Sequence, residues 1–178
     1  MKEPLLSELD ERLSTIKRWG IVRTIQQQSV AEHCFNVQRI CMRLAPLFHI
    51  TESVNLHALS MAALHHDNKE SLTGDIPSTA KGYVGVGENG VDTDPRGWYT
   101  RADDQIKAIV KLADMLEMYH FMATEMKMGN RYIRNHKVRM QRAIDKHIAK
   151  HPEWPETIHQ TCRAWMAWVE LSVSETFE

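Results

Sequence analysis

A short polar stretch, His66-Asp67-Asn68-Lys69-Glu70, follows an apolar segment that has helical spacing. It offers one imidazole and two carboxylates within about one and a half helical turns. If the helix continues through it, His66 and Glu70 project the same way, with Asp67 about 100° round the helix axis. Such side chains bind divalent metals and transfer protons, so the chemistry of this stretch depends on what else converges on it.

Two other polar residues would be costly on the interior side of a helix unless something binds them. His33 lies in the first turn of a predicted helix, and Asp114 lies on or beside the apolar face of a later one. A buried carboxylate must be paired or bound to a cation, because desolvating it alone costs several kcal/mol. With His66 and Asp67 they form a nitrogen and oxygen set suited to one divalent transition metal, Zn²⁺, Mn²⁺, Co²⁺ or Fe²⁺. Such an ion lowers the pKa of bound water towards neutrality, which favours hydrolysis.

Each of these residues also has an ordinary structural interpretation. A histidine in the first turn of a helix is more often a satisfied polar residue than a ligand, and Asp114 could cap a helix or pair with an arginine. The ordered pattern is more specific than any of its members. A histidine, then a His-Asp pair, then an aspartate stand on three separate predicted helices.

The segments that carry these residues are predicted to be helices. Ser29-Val30-Ala31-Glu32 is a capping box that opens the helix of His33, and Pro46 ends that helix. Nothing alternates as a strand does, so we predict an all-α fold, a single compact bundle of six or seven helices over residues 1–178. The predicted helices are residues 5–17 ending at Gly20, 30–45, a third from Thr51 or Ser53 through Glu70, one from Asp103 to Gly129-Asn130, the basic segment 131–150, and the last from Pro155. A glycine-rich loop is predicted over residues 82–97.

Composition excludes several classes of protein. Hydrophobic residues make up 43% of the chain and charged residues 25%, a soluble globular balance. A net charge of -1 gives no reason to expect a nucleic-acid partner, and the basic segment 131–150 is better explained as a solvated helix face than as a binding surface. We find no apolar run long enough for a membrane span and no signal peptide. Three cysteines without CxxC spacing argue against disulfides, so we expect a cytoplasmic protein with no membrane partner.

The chain resembles the HD-domain phosphohydrolases, and within them the branch of bacterial 5'-deoxynucleotidases and phage deoxynucleotide hydrolases. The matching motifs run in family order over roughly residues 15–120. They are Arg18-Trp19, Arg23, Ser29 to His33, His66 to Glu70, Thr73 to Pro77, Lys81, and Lys111 to Asp114.

The resemblance implies a role for each matched residue. Glu70 would be the acid/base that acts on the attacking water or the leaving group, with Asp67 as the other catalytic residue. Trp19 would pack on the sugar or base, and a simple core tryptophan is the equal alternative. The implied metal ligands are His33, His66, Asp67 and Asp114, and the implied substrate-binding residues are Arg18, Trp19, Arg23, Asp75 and Lys81.

The interval between Asp67 and Asp114 is short and contains the glycine-rich loop, as in the compact phage enzymes that remove triphosphate from dATP. The resemblance therefore implies hydrolysis of a deoxynucleoside triphosphate, with dATP first, to deoxynucleoside and triphosphate. Hydrolysis of a deoxynucleoside monophosphate is the alternative, and a non-catalytic metal- and nucleotide-binding regulatory protein is the alternative of another class. Additional Mg²⁺ on the substrate phosphates stays open. Family precedent and the methionine-rich stretch 115–128 favour a homo-oligomer, in the host cytoplasm if a phage encodes the chain.

Overall fold

The computed structural model describes residues 7–77 and 97–171. Strand pairing within these ranges is limited to one isolated bridge, between Lys17 and Ser29, so the prediction of an all-α fold is confirmed. Lys81 and the predicted loop up to residue 96 lie outside the described residues. The helices are α1 Glu8–Thr15, α2 Val30–Leu44, α3 Ser53–His65, α4 Glu70–Thr73, α5 Asp104–Lys127, α6 Arg134–Ala149 and α7 Glu156–Leu171, with 3-10 helices at Ala45–Phe48 and Arg131–Ile133.

Helix α2 begins as the sequence predicts. The Ser29 hydroxyl accepts a hydrogen bond from the Glu32 N–H, and the Glu32 carboxylate accepts one from the Ser29 N–H, which completes the capping box. The apolar stripe that follows is buried from Val30 to Leu44. His33 lies beside this stripe and is itself fully buried, so the cap fixes where its imidazole enters the core.

Helix α3 ends earlier than predicted, at His65, and Glu70 opens the separate single turn α4. The residues between form tight turns, because the Asn68 N–H bonds the His65 carbonyl and the Glu70 N–H bonds the Asp67 carbonyl. The Asn68 side-chain amide lies 2.7 Å from His65 Nδ1, a local contact of the kind that competes with the helical ladder. The polar stretch is therefore a turn between two helices.

The periodicity of α3 predicts a packing stripe of Val54, Ala58, Met61, Ala62 and His65, which the structure bears out only in part. Ala62 is buried and Ala58 packs against the core, but Val54 is 75% exposed. The buried face also takes in the neighbouring row of Leu59 and Ala63, which leads towards His66. This choice of face directs His66 into the core rather than to the surface.

Helix α5 is the longest helix and is buried on nearly all sides. The sequence predicts a cap within Thr100 to Asp103, and the Asp103 carboxylate supplies it by accepting the Ile106 N–H at 2.7 Å. Gly129 adopts φ +95° just beyond the end of the helix. Leu112, Ala113 and Met115, the neighbours of Asp114, are all buried in the main core. The backbone that carries Asp114 is thus fixed by packing on α2 and α3.

The methionines of α5 pack inside the chain. Met115 and Met122 are buried, and Met118 and Met126 pack against the core clusters. Met128, at the end of the methionine-rich stretch, is 38% exposed. The homo-oligomer stays a prediction from family precedent and from this stretch.

Helix α6 carries the basic segment on a largely exposed surface, with Ile144 as its buried residue. This matches the predicted solvated face. No helix within residues 7–77 and 97–171 is long and apolar enough to cross a membrane.

Candidate metal centre

The structure brings all four predicted ligands, His33, His66, Asp67 and Asp114, to one place between α2, the α3–α4 turn and α5. Nε2 of His33 lies 3.3 Å from an Asp114 oxygen and 3.6 Å from an Asp67 oxygen. Nε2 of His66 lies 3.3 Å from the same Asp67 oxygen. The ligand atoms of His33, His66 and Asp114 are all within 4.8 Å of one another, close enough to share one ion.

Both imidazoles present Nε2 to this cluster. Nδ1 of His66 donates to the Ala63 carbonyl at 2.8 Å, and Nδ1 of His33 lies 2.7 Å from a carboxylate oxygen of Glu117. The two Nε2 atoms are buried and have no hydrogen-bond partner within the described part of the chain. Buried polar atoms are seldom left in this state, and a divalent ion shared with the two aspartates would satisfy both. The residues therefore fit a metal.

The charges of the cluster favour ionised aspartates. Burial opposes ionisation of Asp67, but the charge of His66, whose Nε2 lies 3.3 Å away, lowers its pKa below the usual range. Burial also opposes ionisation of Asp114, but its contact with His33 and the Lys111 ammonium, 2.6 Å from Oδ2, lower its pKa below the usual range. Ionised carboxylates are the form that binds metals.

Glu117 is a part of this centre that sequence reasoning missed. It is 2% exposed, and its carboxylate accepts hydrogen bonds from the amides of Gln28 at 2.5 Å and Asn36 at 3.3 Å as well as facing His33. Burial alone would raise the pKa of Glu117, but its hydrogen bond with His33 lowers it. The available signal was an acid three residues after Asp114, on the same face of the helix.

Two more side chains border the cluster. The sulfur of Cys34 lies within 4.8 Å of ligand atoms of His66 and Asp67, although the sequence assigned this residue only to the packing stripe. The Tyr99 ring lies 6.2 Å from the His66 ring and faces it edge-on.

Glu70 lies at the start of α4 and is 4% exposed. Its N–H donates to the Asp67 carbonyl at 2.9 Å, so the tight turn ties its backbone directly to that of a predicted ligand. The predicted acid/base is therefore tied through its backbone to the metal cluster. It lies on a one-turn helix and not on an extension of α3.

The loop from Lys17 to Gln28 carries Arg18 and Trp19. The boundary predicted for α1 is wrong, because the helix ends at Thr15 and the chain turns extended at Ile16, well before Gly20. The ends of the loop are joined, since the Arg18 N–H bonds the Gln28 carbonyl at 2.8 Å. Nε and Nη1 of Arg18 are buried without a hydrogen-bond partner in the described chain, as is Nε1 of Trp19.

Trp19 adopts φ +67° and stacks on Phe121, with 5.1 Å between ring centroids. The Asp75 carboxylate accepts the Trp19 N–H at 3.0 Å. Asp75 therefore holds the backbone of the loop. Trp19 packs against a core cluster with one ring face, which leaves both interpretations of this residue open.

Glu125 fixes the far side of the loop, and its role too was missed. This fully buried carboxylate accepts the N–H groups of Ile25 and Gln26, both at 2.7 Å, and the amide of Asn130. Arg23 is exposed, with its guanidinium 6.0 Å from the Tyr132 ring centroid, and the described contacts do not link it to the metal cluster. Its substrate contact stays a prediction.

The chain is similar in sequence to known proteins over the segments that carry these motifs. A family model described as 5'-deoxynucleotidase YfbR-like matches residues 7–85. A dATP triphosphohydrolase of Acinetobacter phage SH-Ab 15497 is 35% identical over 158 residues, which is 79% of this chain and 76% of that protein. The chain belongs to the YfbR-like HD-domain phosphohydrolases. The resemblance predicted from the sequence is therefore confirmed.

Other relatives of this HD-domain chain are more distant or shorter in their match. Escherichia coli 5'-deoxynucleotidase YfbR is 33% identical over 72 residues, 39% of this chain and 36% of that protein. The HD phosphohydrolase DatZ of cyanophage S-2L, solved with dA and one catalytic Zn²⁺, superposes with a TM-score of 0.57 at 24% identity, covering 69% of this chain and 72% of DatZ. A Pyrococcus horikoshii protein gives a TM-score of 0.68 at 21% identity, covering 91% and 95%. These structures confirm the HD-domain fold.

Proposed function

We propose that the chain is a metal-dependent phosphohydrolase of 2'-deoxynucleotides and that its leading reaction converts dATP to deoxyadenosine and triphosphate. The observation that carries the proposal is the convergence of two buried imidazole nitrogens, which have no hydrogen-bond partner among the described residues, on two aspartates, with Glu70 on the adjoining turn. The phage relative is named a dATP triphosphohydrolase, and DatZ was solved with deoxyadenosine and zinc. Both support a deoxyadenosine nucleotide as substrate.

His33, His66, Asp67 and Asp114 are the proposed ligands. Two imidazoles and two carboxylates suit Zn²⁺ first and accept Co²⁺, Mn²⁺ or Fe²⁺. When bound, such an ion lowers the pKa of water and neutralises charge on a phosphoryl group. The neighbouring groups bind other atoms of these ligands, so the metal-facing atoms stay available. Lys111 donates to Oδ2 of Asp114, and the Ala63 carbonyl accepts the N–H of Nδ1 of His66.

Glu70 is the proposed proton-transfer residue. A carboxylate can take a proton from the attacking water or give one to the 5'-oxygen that leaves the phosphorus. The turn that ties its N–H to the Asp67 carbonyl restrains its backbone. This restraint would keep it beside the reacting atoms.

Arg18 is the proposed phosphate-binding residue. Its Nε and Nη1 atoms are buried with no hydrogen-bond partner in residues 7–77 and 97–171, and a guanidinium binds two phosphate oxygens through paired N–H donors. Asp75, an implied substrate contact, accepts the Trp19 N–H and so positions the residue next to Arg18. Lys81 stays a predicted phosphate ligand outside the described residues.

The products separate the two candidate reactions. Purified chain loaded with Zn²⁺, Co²⁺ or Mn²⁺ is incubated with dATP or with dAMP, and nucleosides and phosphates are separated by ion-exchange chromatography. The proposal predicts deoxyadenosine and inorganic triphosphate from dATP. Activity confined to dAMP would replace the leading reaction with 5'-deoxynucleotidase activity.

Trp19→Ala should relax the discrimination between dATP and ATP. The proposed indole plane fills the space that a ribose 2'-hydroxyl needs, and rejection of an added hydroxyl by an apolar surface is worth about 100-fold at most. We expect the ratio of kcat/KM values for dATP over ATP to fall by about 10-fold to 100-fold. Trp168→Ala, at a 60% exposed position on α7, is the matched control. An unchanged ratio in a folded Trp19→Ala variant would make Trp19 a core residue only.

A further inference from the structure

We propose that Glu117 is a positioning residue, which holds the His33 imidazole in the tautomer and orientation that metal binding requires. The inference rests on the proposed metal site and adds a residue that neither the motifs nor the relatives indicate. Its basis is the 2.7 Å contact between Nδ1 of His33 and an oxygen of Glu117. Both residues are buried, so water does not compete for this contact.

The contact decides which nitrogen carries the hydrogen. A carboxylate accepts hydrogen bonds, so Nδ1 of His33 is the N–H donor and the lone pair of the neutral ring belongs to Nε2. Nε2 is the atom that faces Asp67 and Asp114. In metal sites, a carboxylate on the outer nitrogen of a histidine ligand fixes its tautomer and raises its basicity.

Helix α5 contacts both nitrogens of this one imidazole. Asp114 lies 3.3 Å from Nε2, and Glu117, three residues later on the same helix, lies 2.7 Å from Nδ1. Side chains at that spacing share a helix face. The ring is therefore clamped between two carboxylates one turn apart, which limits its rotation.

Glu117 is itself held as an acceptor. Gln28 donates to it at 2.5 Å from the end of the loop that carries Arg18, and Asn36 donates at 3.3 Å from α2. The Gln28 carbonyl in turn accepts the Arg18 N–H at 2.8 Å. Glu117 thus connects the proposed metal ligand to the loop that carries the proposed phosphate ligand.

The test measures metal binding directly in Glu117→Gln, which keeps the size of the side chain. Zn²⁺ and Co²⁺ affinities of the full chain are measured by competition with a chromophoric chelator, and nitrogen-15 NMR of the histidine rings reports the His33 tautomer. We expect a 10-fold to 100-fold loss of affinity and loss of the fixed Nδ1–H signal. Glu125→Gln is the control, because Glu125 is a fully buried acid of the same helix that contacts loop amides. Its metal affinity should equal that of the wild type.

Wild-type affinity in a folded Glu117→Gln variant would overturn the proposal. An equal loss in Glu125→Gln would also overturn it, because the effect would then follow from altering any buried acid of α5. If Glu117→Gln does not fold, Glu117→Asp decides the matter, since it keeps the charge but withdraws the oxygen from Nδ1. Absence of hydrolysis by the wild type would contradict the proposed function. The metal affinities would still test the role of Glu117, because they do not depend on hydrolysis.

Discussion

Glu70→Gln is expected to reduce kcat for deoxynucleotide hydrolysis by about 10²-fold to 10⁴-fold, the usual contribution of a general acid or base. The amide has the size of the carboxylate but cannot exchange a proton at neutral pH. Because Glu70 is not among the four proposed ligands, the variant should keep its metal. Steady-state kinetics on dATP, together with elemental analysis of the same sample, measures both quantities.

The control for Glu70→Gln removes a carboxylate far from the cluster. Glu52 is exposed at the N-terminal end of α3, opposite the end that leads to His66, and Glu52→Gln should keep the wild-type kcat. A Glu70→Gln variant that hydrolyses dATP at the wild-type rate would remove the proton-transfer role from Glu70. Loss of metal along with activity would mean that Glu70 supports the site rather than the reaction.

Asp114→Asn is expected to lose the metal. The substitution replaces an ionised oxygen ligand with a neutral amide and leaves the Lys111 ammonium, now unneutralised, beside the two imidazoles. Loss of a residue that only hydrogen-bonds a metal ligand lowers metal affinity by roughly 100-fold at most, and we expect a larger fall for Asp114→Asn because a ligand itself is lost. Activity should fall with it. Elemental analysis after gel filtration measures the occupancy.

Lys111→Met is the matched control for Asp114→Asn. It removes the 2.6 Å ion pair but leaves the aspartate in place, so its loss of affinity should be smaller. Full metal occupancy in Asp114→Asn would exclude Asp114 from the ligand set.

The predicted ligand set could be recognised in the sequence because its members are costly where they stand. His33 follows a capping box that locates its helix, and Asp114 interrupts an apolar helix with a charge. Local patterns place such residues within a turn or two. These local patterns do not depend on which helices pack together.

Glu117 and Glu125 could not be assigned from the sequence, because their partners are far along the chain. Glu117 and His33 are 84 residues apart, and Glu125 and Ile25 are 100 residues apart. Nothing near either glutamate shows which donors it will meet. Their roles follow only from the packing of α5 against α2 and the loop before it.

The end of α3 and part of its buried face differ from the prediction for local reasons. Ala and Leu stand on several sides of the helix, so periodicity does not single out one buried face. Just beyond its end the Asn68 side-chain amide lies 2.7 Å from His65 Nδ1, a contact that helical periodicity does not indicate. The consequence for the site is modest, since His66 and Glu70 are both buried despite belonging to different helices.

The central claim is that this cluster is a metal-dependent site for deoxynucleotide hydrolysis. The most direct measurement is the rate of deoxyadenosine release from dATP by chain stripped with a chelator and then given back one equivalent of Zn²⁺, Co²⁺ or Mn²⁺. The account predicts no release by the stripped chain, recovery at one metal per chain, and inorganic triphosphate as the second product. Undiminished release by the stripped chain, or none from either dATP or dAMP after reloading, would contradict it.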